Sequence, residues 1–264
     1  MCTLVVAARV VPGFPLVIVA NRDEDRERAS SPPLWWGADG FVAPRDDVAG
    51  GTWLGLNEAG VFVAITNRFL GPKDPARVSR GLLVVEALRG RSAREVHAAL
   101  SAVDPSRHNG IHLVYADDHD VLATVSDGRE LAQLVLGDGV SIVTERSFGA
   151  GNRGDDDSAR VRKIRAAWEK LIASGSPFDP ARATALLAEH DETDPLGATC
   201  IHLDELRYGT RSALVLSIAE PTSSPRAAPL DRARMLFAEG PPCTHGFTEI
   251  SLGAMRSAAL PKSG

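Results

Sequence analysis

Two apolar runs open the chain, Thr3-Leu4-Val5-Val6 and Leu16-Val17-Ile18-Val19-Ala20, with Pro12-Gly13-Phe14-Pro15 between them. Short apolar runs bounded by turn residues read as buried strands, so the pattern predicts an antiparallel pair. The returning strand then carries Asn21-Arg22-Asp23-Glu24 back beside Cys2. Residues 25–33 are polar with two prolines and read as a loop, and Phe41-Val42-Ala43 reads as a short strand. Two further strands flank Asn57-Glu58-Ala59-Gly60, since Asn and Gly tolerate the backbone of a tight turn. The glycine pair Gly50-Gly51 ahead of them suits a close approach of two backbones.

Helical periodicity follows. Ser79 caps a helix to about residue 88, and the capping box Ser92-Ala93-Arg94-Glu95 opens another to about 102. Strands are expected at 111–116, 121–126, 131–136 and 140–144, the last two joined by Gly137-Asp138-Gly139. Residues 117–120 hold three aspartates and a histidine, better explained by a hairpin turn than by a metal. A Gly- and Asp-rich loop at 149–157 precedes a helix at 158–173, with Val161, Ile164, Trp168, Leu171 and Ile172 on one face. Asp179-Pro180 starts a helix to about 189, and strands resume at 199–203, 212–218, 233–238 and 247–252.

Strands and helices come in blocks rather than in alternation. That order excludes a doubly wound parallel sheet and predicts an α+β protein with helices over mainly antiparallel sheets. With no linker and no internal repeat, residues 1–264 read as a single domain.

Charge and cysteine content narrow the partners. A net charge of −5 gives no basic footprint for nucleic acid. No stretch is long and apolar enough to span a bilayer. The N-terminus lacks the basic region of a signal peptide, and Arg9 with Pro12-Gly13 interrupts its apolar run. Cys2, Cys200 and Cys243 are odd in number and far apart, which fits the reducing cytoplasm better than a disulfide framework.

Cys2 is the foremost candidate for chemistry. Trimming of Met1 leaves it with a free α-amine, which titrates near pH 8 beside a thiol near 8.5. An N-terminal residue of this kind carries its own general base. The competing explanation is a small apolar residue on a buried strand. Cys200-Ile201-His202 and Cys243-Thr244-His245 offer two metal ligands each, but their spacing is not that of a usual structural zinc site.

Cys2, Asn21-Arg22-Asp23-Glu24, Arg45-Asp46, Gly50-Gly51-Thr52-Trp53-Leu54-Gly55 and Thr66-Asn67-Arg68 follow one another as in a known family. On these motifs the chain resembles the NRDE family, the transport-and-Golgi-organisation protein 2-like proteins. Tyr208-Gly209-Thr210-Arg211-Ser212 resembles that family's later motif. The likeness is dense over residues 1–70 and thin from there to about 198. The family is similar in turn to N-terminal-nucleophile hydrolases of the choloylglycine hydrolase and penicillin acylase type. That similarity implies a four-layer αββα sandwich and an N-terminal cysteine nucleophile. Asn57-Glu58-Ala59-Gly60 and Asn67 match those enzymes' hairpin and active-site asparagine. Asn21 and Glu24 fall where their arginine and aspartate stand, and a one-residue slip uses Arg22 instead. Glu145 stands where a further asparagine would serve the oxyanion, and a carboxylate there predicts slow hydrolysis.

The resemblance implies an amidohydrolase-like protein acting on an amide or acyl bond of a small molecule. Cys2, Asn67, Arg22 and Asp23 take the catalytic roles. Asn21, Glu24, Arg45, Asp46, Thr52, Trp53, Arg68, Glu145 and Arg211 hold substrate or support the pocket. No cofactor is required. The rival reading is a carrier of haem, acyl-CoA or lipid on the same fold, in line with the haem and lipid handling in which the family's animal members are implicated.

Overall fold

The computed structural model describes residues 2–68, 70–145, 158–221 and 228–259. It divides into two compact units. The first comprises residues 1–28, 136–220 and 236–249, the second 29–135, 221–235 and 250–264.

The opening strand pair forms the middle of one sheet. β1 (Cys2–Val11) and β2 (Phe14–Asp25) are antiparallel, with Cys2 opposite Arg22, Val5 opposite Val19 and Ala8 opposite Leu16. An irregularity between Ala8 and Val11, where Arg9 takes a φ of 54°, ends the even register before the turn at Gly13. Residues 21–24 lie inside β2 and not beyond its end. The apolar run stops at Ala20, but the ladder continues because a long later strand supplies partners.

The second sheet runs in chain order. β3 (Ser30–Trp35), β4 (Phe41–Asp46), β5 (Leu54–Asn57), β6 (Phe62–Asn67), β7 (Ile111–Ala116), β8 (Val121–Ser126) and β9 (Leu131–Val135) each pair antiparallel with the next. α1 (Arg80–Ala87) and α2 (Ala93–Leu100) pack on it, with α1 against β6 and α2 against β7 and β8. Phe41, Val63, Val84, Leu88, Leu113 and Tyr115 share the resulting core. Each such side chain withdrawn from water contributes about 1.5–3 kcal/mol.

Later segments complete the first sheet. Its order is β10 (Gly139–Thr144), β1, β2, β12 (Tyr208–Ile218), β13 (Ala233–Ala238) and β14 (Thr248–Ile250), with β11 (His202–Leu203) paired to β12. α3 (Ala159–Ala173) and α4 (Pro180–Leu187) bury Val161, Ile164, Trp168 and Leu187 against Val5, Val19 and Val215. Ser158 caps α3 by accepting from the N–H of Val161, and Asp179 caps α4 ahead of Pro180, as the sequence pattern requires. α5 (Leu252–Ala259) lies against β3. Among the described residues no helix is long and apolar enough to cross a membrane.

The expected loop at 25–33 is a strand over part of its length. β3 keeps Pro32 and Pro33 because it is an edge strand whose register against β4 shifts between Ser31 and Leu34, so neither proline breaks the ladder. The strands on either side of Gly137-Asp138-Gly139 do not pair with each other: β9 edges the second sheet and β10 the first. Only residues 202–203 of the expected strand at 199–203 are extended, because the N–H of Cys200 turns back to the carbonyl of Glu189. The glycine-rich loop expected at 149–157 lies outside the described residues.

Gly50-Gly51-Thr52 meets the start of α1. The N–H of Thr52 donates to Gly81 O at 3.2 Å, and a Cβ on Gly51 would stand 2.4 Å from Gly81 C. Backbone atoms on both sides leave nothing free to yield. Gly51→Ala is therefore expected to cost about 1–3 kcal/mol of stability. Gly246→Ala, at an open position, should change it by less than about 0.5 kcal/mol. Urea unfolding midpoints of the two variants decide whether Gly51 serves packing.

Candidate active site

Side chains directly opposite one another on paired strands share a face of the sheet. Cys2 lies opposite Arg22, and Thr3 opposite Asn21. Arg22 thus shares the face of Cys2, and Asn21 takes the other. The Asn21 amide donates to Leu187 O at 3.0 Å and Thr199 O at 2.7 Å, tying β2 to the end of α4 and the segment after it. Between the two alternatives left by the motif, the register selects Arg22 as the neighbour of Cys2. Glu24, two residues on, stands 3.9 Å from Arg22 Nη2 and 3.9 Å from Arg28 Nε.

Asp23 is held from several sides. Its Oδ1 accepts from Thr210 Oγ1 at 2.6 Å and its backbone carbonyl from Tyr208 OH at 2.8 Å. Thr210 Oγ1 in turn accepts from the N–H of Ile201 at 2.8 Å. Arg160 Nη1 lies 3.8 Å from Asp23 Oδ2, while its Nη2 contacts both Glu145 oxygens at 3.3 and 3.0 Å. Asp23, Glu145 and Arg160 are each at most 4% exposed. One guanidinium thus serves two buried carboxylates. Burial pushes Asp23 up from the ordinary 3.8 to about 6, Glu145 adds to that rise, and Arg160 and Thr210 oppose it.

The Cys2 sulfur stands 4.0 Å from Asp23 O. Cys2 is only partly exposed, and the dense surroundings push its thiol above the ordinary value, with Asp23 pushing the same way and Arg22 opposing. Near neutral pH the sulfur carries its proton, so nucleophilic attack here needs a base within reach. Arg211 sits between Thr210 and Ser212, where the register of β12 against β2 shifts, and its Nη2 is 3.5 Å from Arg28 O.

The remaining predicted residues belong to the second unit. Asn67 ends β6 opposite Ile111, and the N–H of Arg68 donates to Gly110 O. Asp46 Oδ1 accepts from the N–H groups of Val48 and Ala49, closing the turn after β4. Arg45 lies 5.9 Å from the centre of the Trp36 ring and 3.9 Å from Asp47. Thr52 Oγ1 donates to Leu54 O at 2.8 Å, and Trp53 packs on the core of that unit. These bonds support the fold of the unit.

A family model described as Transport and Golgi organisation 2 matches residues 1–224. The chain belongs to that family. It is 30% identical over 108 residues to the Transport and Golgi organization 2 homolog of Mus musculus, 39% of each chain. It is 29% identical over 135 residues to the Bos taurus homolog, 48% of this chain and 49% of that one. The aligned part therefore spans less than half the length of these curated relatives. Among solved structures, a variant of conjugated bile acid hydrolase from Clostridium perfringens is similar with a TM-score of 0.60 at 13% identity, covering 96% of this chain and 93% of that one. The Caenorhabditis elegans ortholog of N-acylethanolamine-hydrolyzing acid amidase is similar with a TM-score of 0.50 at 13% identity, over 88% and 98%. At such identity the likeness is one of fold. The fold class is α+β, as the order of elements predicts, and is that of N-terminal-nucleophile hydrolases.

The family motif does not include Arg160, and sequence reasoning passed over it. One signal was present: a basic residue in the first turn of α3, beside Val161 of its apolar face. A cation at a helix N-terminus opposes the helix dipole and needs a compensating anion. Asp23 and Glu145 supply that compensation.

The folded pKa of Asp23 lies above its unfolded value. Between about pH 4 and 6 the native state keeps a proton that the unfolded chain has lost, so Asp23 subtracts stability as pH rises through that window. Carbon-13 carboxyl NMR should show Asp23 titrating near 6. Glu145→Gln should lower that midpoint by removing a like charge, and Arg160→Leu should raise it. A midpoint near 4 in the unmodified protein would refute the arrangement.

Proposed function

We propose that this family member is an N-terminal cysteine amidohydrolase-like protein that cleaves an amide or acyl bond of a small molecule. The observation carrying this reading is the place of Cys2: it opens a central strand, opposite Arg22. The fold shared with an amidase and a conjugated bile acid hydrolase supports the same reaction class.

Loss of Met1 frees the α-amine of Cys2. The amine takes the thiol proton as the sulfur bonds to the substrate carbonyl carbon, giving a tetrahedral oxyanion. Collapse breaks the carbon–nitrogen bond, and the leaving amine regains that proton. Water then attacks the thioester under the same base and releases the acid and the thiol. Asn67 is assigned the oxyanion donor on the family resemblance. Arg22, with Glu24 beside it, offers a cation for a substrate acid group on the face of Cys2. Asp23 anchors the end of β2 and adds negative charge near the amine. The three free thiols support a reducing, cytoplasmic location.

A panel of acyl amides and acyl thioesters tests the reading, with N-terminal mass analysis of the active material. Active protein should begin at Cys2. Cys2→Ala should lose all turnover, since no other group replaces the attacking atom. Asn67→Ala should lower kcat by about 10²–10³-fold if it donates to the oxyanion. Turnover surviving in Cys2→Ala, or full activity with Met1 retained, would overturn the mechanism. Tight binding of haem or acyl-CoA by both proteins, without turnover by either, would favour a carrier.

A further inference from the structure

Three side chains of the first unit, separate from Cys2, face one another. Cys200 ends the turned segment before β11, His202 opens β11, and Cys243 lies in the turn after β13. That turn contains Pro241 and Pro242 and is closed by the N–H groups of Thr244 and His245, both donating to Pro241 O. The two sulfurs are 3.4 Å apart. His202 Nε2 lies 3.1 Å from Cys243 Sγ and 3.5 Å from Cys200 Sγ. Three such donors within reach of one another suit a soft metal ion or thiol chemistry.

The proton on the ring decides between them. Arg26 Nη2 stands 3.1 Å from His202 Nδ1 and is anchored by Asp204 at 2.5 Å. A guanidinium can only donate, so Nδ1 accepts and the neutral ring carries its hydrogen on Nε2. A metal on Nε2 would move that hydrogen to Nδ1 and set donor against donor at Arg26. Left where it is, the Nε2–H points to Cys243 Sγ. The Cys200 thiol donates to the same sulfur. Burial pushes Cys200 up to about 12, so it keeps its hydrogen for that bond. Cys243 is the acceptor of both and is partly exposed, whereas Cys200 is buried.

We propose that Cys243 and Cys200 form a redox-active thiol site whose substrate is a hydroperoxide, with Cys243 as the attacking sulfur and Cys200 as the resolving one. The Cys243 thiolate bonds to the terminal peroxide oxygen. The O–O bond breaks and the alcohol or water leaves with a proton from solvent, so the peroxide is reduced and Cys243 becomes a sulfenic acid. The Cys200 sulfur then bonds to that sulfur. The S–O bond breaks, and the departing hydroxide takes the Cys200 proton as water. Two thiols and one hydroperoxide thus give one disulfide, one alcohol and one water. The sulfurs have only to close from 3.4 Å to about 2 Å, and Cys243 lies on a turn where it is partly exposed. A low-mass thiol reductant restores the pair by exchange. His202 acts as a positioning residue, holding charge on Cys243.

The test is stoichiometric hydrogen peroxide added to reduced full-length protein, followed by non-reducing intact mass and peptide mapping. The wild-type chain should become lighter by two hydrogen atoms, with Cys200 bridged to Cys243. Cys200→Ser should leave a sulfenic acid on Cys243 that dimedone captures, whereas Cys243→Ser should yield none on Cys200. His202→Phe should slow bridging on the order of tenfold, the worth of one hydrogen bond to a charged sulfur. Two wild-type results overturn the proposal without any variant. One is an equimolar transition metal in the purified reduced protein, which would make the trio a metal site. The other is a peroxide-treated chain with Cys200 and Cys243 both still free.

Discussion

One buried guanidinium between two buried carboxylates constrains the candidate site more than any other contact. Arg160 enters from the first turn of α3, Asp23 from β2 and Glu145 from the end of β10. Removing Arg160 leaves two uncompensated carboxylates in a place water barely reaches, which is the costly case for a buried ion pair. The trio therefore fixes where α3 begins relative to the strand pair that carries Cys2. It also changes the meaning of Glu145. At the position of an expected oxyanion donor a bare carboxylate repels developing negative charge. Here the carboxylate is turned to Arg160, and its field is largely cancelled there.

The four residues that give the family motif its letters serve two different faces. Asn21 binds backbone carbonyls at the helix side, and Asp23 meets Arg160 and Thr210. Arg22 and Glu24 alternate with them and share the face of Cys2. Strand alternation thus divides one tetrapeptide between the two faces of its sheet. The same economy of position holds in the second unit. Gly51 lets two backbones touch, and Asn57 closes its hairpin onto Val61 N while donating to Leu88 O and Gly90 O.

Most of the fold was legible because its signals are local. The strand pair at the N-terminus, the turn at Gly60 and the caps at Ser92, Ser158 and Asp179 each follow from a few neighbouring residues. What escaped depends on distant partners. Residues 21–24 look like the end of a strand until β12 is seen to pair with them. Pro32 and Pro33 argue against a strand until β3 proves to be an edge with shifted register. Gly137-Asp138-Gly139 looks like a hairpin loop, yet no local feature reveals that its strands belong to different sheets. The site follows the same rule. The approach of residues 21–24 to Cys2 was legible through chain position and motif, whereas the choice between Asn21 and Arg22 needed the strand register, and Arg160 becomes meaningful only once α3 meets two carboxylates from elsewhere.

The sulfur environments in the first unit differ in kind, and the difference separates two chemistries. Burial is the main cause that pushes the Cys2 thiol up, with Asp23 pushing the same way and the N-terminal amine and Arg22 opposing. In the proposed hydrolysis the proton leaves as the sulfur attacks, and the α-amine freed by loss of Met1 is the base assigned to take it. Cys243 instead faces an imidazole N–H and a thiol hydrogen, both of which stabilise negative charge on sulfur. The segment carrying Cys200 is bonded to the motif strand through Asn21 at Thr199 O and, by way of Ile201 and Thr210, to Asp23. The two sulfur sites are thus joined through side-chain hydrogen bonds of Asn21, Thr210 and Asp23, while each sulfur meets a different set of neighbours.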